Sequence, residues 1–133
     1  MHSKAVLGHR EVTAIMNAAR LEAVSNQWAV TIAVVDDGGH LLALERLDGA
    51  SPNTAYLAPE KARTAALGRR ESGWYEELVN GGRTSFLSTV GITCLEGAVP
   101  VIYEGQVIGA VGVSGVKSSF DAQIARAGAA TVA

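Results

Sequence analysis

The sequence predicts an α+β fold, a single domain over residues 1–133 with a mainly antiparallel, five-stranded sheet flanked by helices. Three observations predict it. VTIAVVDDGGHLLALER and VPVIYEGQVIGAVGV both read as two apolar strands around a short polar, glycine-bearing turn, and strands joined so tightly run antiparallel. Apolar residues at both ends of the chain recur at helical spacing. At 133 residues, 48% apolar and 18% charged, the chain can bury a real core and is too apolar to be disordered.

The elements follow in order. Residues 1–8 read as a flexible N-terminal segment. Over residues 9–25, Val12, Ile15, Met16, Ala19 and Ala23 form one helical stripe. Ser25-Asn26 is the expected stop, since Asn tolerates the left-handed cap conformation. Trp28–Val35 is rich in β-branched residues and reads as a strand. Asp37-Gly38 or Gly38-Gly39 supplies the positive φ of a tight turn, and His40–Leu47 returns as the second strand.

After a loop carrying Gly49, Ser51, Pro52 and Asn53, a helix is expected to open at Pro59 and run to about Ser72. Its Ala62, Ala65 and Ala66 form a smooth face suited to close packing on a sheet. Trp74–Thr84, with Asn80-Gly81-Gly82, reads as an irregular, mobile loop. A short strand is expected around Gly91–Leu95. Val99–Tyr103 and Gln106–Val113 make the second hairpin with Glu104-Gly105 at its turn. Ser118 and Asp121 predict a capping box opening the last helix, with Phe120, Ile124 and Ala127 inward.

A net charge of −2 without a basic block argues against nucleic acid or an anionic membrane as partner. No run approaches the ~18 apolar residues of a membrane span. The N-terminus MHSKAVLGH lacks the apolar core of a secretory signal, so the expected location is cytoplasmic. The single Cys94 lies in an apolar run and is expected to be a buried, inert thiol.

Gly109, Gly112 and Gly115 space as G-x-x-G-x-x-G. The strand–turn–helix context of a dinucleotide fingerprint is missing, so these glycines are expected to mark close backbone approach to a helix or partner. An anion nest at Ser114-Gly115 is the weaker reading. His2, His9 and His40 show no zinc-site spacing, but His9 or His40 alone could ligate heme iron. No nucleophile-elbow motif is present. The residues best suited to chemistry are Arg46, Asp48, Glu60, Lys61 and Thr64. Arg46 could hold a carboxylate in two hydrogen bonds and Lys61 could add a compact charge. The same residues could equally form a local ion-pair network.

Four ordered segments, VTIAVVDDGGHLLALERLDGAS, LAPEKARTAA, VPVIYEGQVIGAVGVSG and FDAQIARAGAA, resemble the GlcG/HbpS-like heme-binding family, which is related to the C-terminal domain of PduO-type proteins. The resemblance covers about residues 9–132. It implies a profilin-like fold, heme as the one candidate cofactor, and a dimer-based homo-oligomer, an octamer among the sizes it allows. It also implies a ligand site near subunit contacts, built from the Arg46–Asp48 loop and the Glu60–Lys61 helix. The glycine-rich turn before the VP pair reads Glu96-Gly97-Ala98 here, which would alter the wall of any pocket there.

Two functions follow from this pattern. In the first, the protein binds heme or a related tetrapyrrole at a subunit boundary, with His40 or His9 on iron and Arg46 or Lys61 on the propionates. In the second, it is a cofactor-independent lyase or isomerase acting on a small aromatic or hydroxy carboxylate of a catabolic pathway. There Arg46 and Lys61 would anchor the carboxylate, Glu60 and Asp48 would serve as acid and base, and Thr64, Tyr56 and Glu96 would line the pocket. A purely structural oligomer is the third possibility.

Overall fold

In a computed structural model that describes residues 1–132, four strands form one antiparallel sheet. The strands are β1 (Thr31–Asp36), β2 (Leu41–Arg46), β3 (Ala98–Tyr103) and β4 (Gln106–Ser114), in spatial order β2-β1-β4-β3. The helices are α1 (His9–Ser25), α2 (Thr54–Gly68), α3 (Gly73–Asn80) and α4 (Ser118–Ala129). A short 3₁₀ turn spans Thr84–Ser88.

Alternation along the two central strands sorts the core into two layers. Ile32, Val34, Val111 and Val113 face α1 and α4, where Ile15, Ala19 and Ile124 meet them. Ala33, Val35 and Ala110 face the alanine stripe Ala58, Ala62, Ala65 and Ala66 of α2. That second layer is built almost wholly from methyl groups, so helix and sheet approach very closely. At Gly112 a β-carbon would collide with the Ala58 carbonyl oxygen and fall 2.6 Å from the Ala62 nitrogen. Gly112 thus marks helix approach, as expected, whereas a β-carbon at Gly109 would meet Leu7 and the Val35 carbonyl oxygen and one at Gly115 the Ala29 carbonyl oxygen, not a helix.

Both hairpins form as read. Gly39 carries the positive φ of the first turn (+81°), and Glu104 and Gly105 carry those of the second (+49° and +75°). The end of α1 differs in detail: Asn26 caps by donating its side-chain amide to Glu22 O, and the positive φ falls on Gln27. In the segment expected to be flexible, Leu7 is buried in the core and Lys4 pairs with Asp37 at 3.0 Å.

Five expectations need correction. The sheet has four strands, not five: Gly91–Leu95 is no strand, because α2 takes its polar groups. The Thr93 N–H donates to Thr64 Oγ1 and the Arg63 guanidinium donates to Gly91 O. Helix α2 begins five residues before Pro59. Its first turn is docked by the Thr54 hydroxyl, which reaches Ser51 O and the Thr31 hydroxyl. Trp74–Asn80 is helical, with Tyr75 as its buried anchor. At α4 the capping box does not form, since the Ser118 hydroxyl donates to Glu96 and Asp121 instead accepts the Val116 N–H. Cys94, for its part, is half-buried.

Candidate functional site

The first-hairpin end holds His40. Asp36 Oδ1 accepts the N–H groups of Gly38 and His40 at 2.9 Å each and contacts His40 Nδ1 at 3.0 Å. Desolvation alone would raise the Asp36 carboxyl, but these hydrogen bonds win and hold it below the ordinary range. The His40 ring is thereby oriented, yet its side chain is 80% exposed.

At the other end of β2, Arg46 donates through Nε to Ala50 O at 3.0 Å, which closes the loop leading to α2. Asp48 is exposed and borders a shallow groove with Val24, Trp28 and Leu47. Tyr56 projects from the first turn of α2 and is 76% exposed. Glu60 is half-buried and accepts the Thr93 hydroxyl at 3.2 Å, while Thr64 is buried, donating to Glu60 O and accepting from Thr93 N–H. Glu96 borders a different depression, beside Gly73 and Trp74.

Lys61 does not reach a rim. It sits in the alanine stripe, almost fully buried, and its ammonium donates to Asp121 Oδ2 at 3.2 Å and to Val113 O at 3.1 Å. Gly97 leaves the space, since a β-carbon there would lie 2.8 Å from Lys61 Nζ. Burial pushes the Asp121 carboxyl up, and Lys61 together with the N–H groups of Val116 and Gly115 offsets only part of that. Asp48, Glu60, Lys61 and Glu96 therefore face separate surroundings: a groove at Trp28, the 91–95 loop, the interior, and a depression at Trp74.

A different region collects the features of a ligand slot. Between α1 and the edge strand β2 runs a groove of about 260 Å³, with His9 and Arg20 among its lining residues and Val12, Met16, Leu42 and Ala43 along its walls. His9 is exposed at the first turn of α1, and Leu41, Leu42 and Leu44 leave β2 unusually apolar for an edge. Arg20 is not free here. It grips Glu45 through two hydrogen bonds of 2.6 and 2.5 Å and reaches Asn17 at 2.8 Å. That grip, more than any other influence, holds the Glu45 carboxyl below its ordinary value. Among the described residues no three His, Cys, Asp or Glu side chains gather as a metal site, and no helix is long and apolar enough to cross a membrane.

Reading the residues alone missed Asp121 and Thr93, the partners that take Lys61, Glu60 and Thr64. A signal for Asp121 was present: Lys61 stands three residues after Ala58 and four before Ala65. It therefore belongs to the apolar stripe and needs a buried anion.

Comparison with known proteins agrees with this architecture. The chain is 57% identical over 114 residues to protein GlcG of Escherichia coli K12, covering 86% of this chain and 85% of that protein. Its fold superposes on a double mutant of HbpS from Streptomyces reticuli with a TM-score of 0.91 at 30% identity, covering 100% of this chain and 91% of the other. It also superposes on the PduOC protein in complex with heme, with a TM-score of 0.86 at 26% identity over 96% of each chain. The model of the family described as haem degrading protein HbpS-like matches residues 7–130, and the chain belongs to that family.

Proposed function

We propose that this protein binds heme or a related tetrapyrrole in the groove between α1 and β2, with His9 as the iron donor and a second subunit closing the slot. The observation that carries this reading is the placement of an exposed imidazole, His9, at a groove walled by Val12, Met16, Leu42 and Ala43. A planar apolar macrocycle needs such walls and at most one or two axial donors, because the porphyrin supplies the other ligands to iron. The heme complex of the structurally similar PduOC supports the same ligand class.

The groove's size supports a subunit boundary. At about 260 Å³ it falls below the roughly 300–1,000 Å³ of pockets that enclose a drug-sized ligand, so it suits half a slot. The other wall would come from a homo-oligomer partner seated on the exposed leucines of β2. Arg46 lies opposite Thr31 in the β1–β2 register, on the α2 face of the sheet, and its Nε is spent on Ala50, so it is not assigned to a propionate in this groove. Lys61, engaged with Asp121, has no part in it either, and none of the grooves described above brings Arg46, Asp48, Glu60 and Lys61 together.

Hemin titration followed by absorbance tests the proposal. A Soret band that saturates at a fixed heme-to-subunit ratio is expected, and Leu42→Glu, which puts a charge in the groove wall, should abolish saturation. A featureless titration of the wild-type protein, or full binding by the Leu42→Glu variant, would sink it.

A further inference from the structure

We propose that a second site, on the opposite edge of the sheet, binds a small organic carboxylate through Arg70. Between the end of α2, the outer edge of β3 and α4 lies a shallow, open cleft of about 500 Å³. Its floor is apolar: Val99, Pro100 and Ile102 of β3, with Ala129 of α4. Three guanidinium groups, Arg69, Arg70 and Arg126, and one carboxylate, Glu71, border it. On the cleft itself three guanidiniums face one carboxylate, while Glu77 and Glu96 line the adjoining depression at Trp74 that shares Arg70, Glu71 and Arg126.

The three arginines are not equivalent. Arg69 spends its side chain on the carbonyls of Asp37 and Ala66, and Arg126 pairs with Glu71 at 2.7 Å. Arg70 has no carboxylate or carbonyl partner for its guanidinium among the described residues. Its guanidinium carbon lies 3.9 Å from the Trp74 ring centroid. This contact holds the group over the ring and leaves its N–H groups unspent, able to donate two parallel hydrogen bonds to a carboxylate.

The rest of the cleft selects the body of the ligand. Ile102 is 51% exposed on the floor, so an aromatic or aliphatic acid gains burial there that inorganic phosphate would not. Pro100 removes a backbone donor from the edge of β3, which disfavours addition of a peptide strand. Glu71 competes with the ligand for Arg126 and sets the affinity.

The test uses a Trp28→Phe background, in which Trp74 is the sole tryptophan, with benzoate as the probe. Saturable quenching of Trp74 emission by benzoate is expected. Arg70→Ala should weaken it about tenfold or more, the loss expected for one charge-assisted hydrogen bond. Arg70→Lys, which keeps the charge but not the fork, should also weaken it, and Glu71→Gln should strengthen it. No saturation by benzoate, equal saturation in Arg70→Ala, or equally tight saturation by phosphate would overturn the proposal. Soret absorbance should not respond to any of these variants, so this outcome is independent of heme binding.

Discussion

The Lys61 ammonium lies 3.2 Å from an Asp121 carboxylate oxygen, and the two side chains, 5% and 2% exposed, tie helices on opposite faces of the sheet to each other. Lys61 belongs to α2, on the alanine layer, and Asp121 to α4, on the larger layer. The pair meets beside Gly97 and Val113, where α4's first turn and the end of β4 come together. A charge so deep is costly to strip of its partner, although the intact pair contributes little net stability.

Lys61→Met should therefore destabilise the protein by about 3–5 kcal/mol at neutral pH. The deficit should depend on pH. Burial already raises the Asp121 carboxyl above its reference value of 3.8, and without Lys61 that rise grows. A raised folded pKa favours the protonated form, so the variant's stability should fall as pH rises from the reference value through the folded one. Urea midpoints at pH 4 and pH 7 check this. Equal deficits at both pH values would contradict it, and adding Asp121→Asn should restore much of the loss at pH 7.

Gly112→Ala should cost about 1–3 kcal/mol or more, because its new methyl meets the backbone of Ala58 and Ala62 and must push α2 off the sheet. Gly105→Ala is the comparison. It has the positive φ of a turn but no atom within 4 Å, so only the left-handed backbone penalty of about 1–2 kcal/mol applies. Chemical denaturation of the two variants side by side should rank them in that order.

Glu45→Gln should lower stability modestly at neutral pH. The Arg20 fork holds the Glu45 carboxyl below its reference value of 4.5, so its contribution is present above that value and lost as pH falls through the folded pKa. Both partners are 36% exposed, which limits the effect to under about 1 kcal/mol and makes it weaken with salt. Denaturation at pH 7 should separate variant from wild type, and the gap should narrow as pH is lowered from the reference value through the folded one.

How far these features could be read beforehand depends on where their causes lie. The two hairpins and the α2 stripe were legible because Gly38-Gly39, Glu104-Gly105 and the alanines at 62, 65 and 66 act locally. The supposed strand at 91–95 failed because its partner is not a strand: Arg63 and Thr64, far back in the chain, take its backbone groups. Helix α3 was missed because a short helix between glycines with one buried residue has almost no periodic signal. The groove beside His9 could not be read from the chain, because it needs Leu42 of a distant strand to exist. Lys61 looked like a surface cation until Asp121, sixty residues away, was placed against it.

The most direct test of heme binding at the α1–β2 groove is a stoichiometric hemin titration of wild type, His9→Ala and His40→Ala, read in the Soret and charge-transfer bands. His9 has the groove, while His40 has only the oriented ring at an exposed turn. The expected result is loss or a marked shift of both bands in His9→Ala, with His40→Ala matching wild type. Unchanged bands in His9→Ala would contradict the assignment, and would do so most plainly if His40→Ala lost them instead.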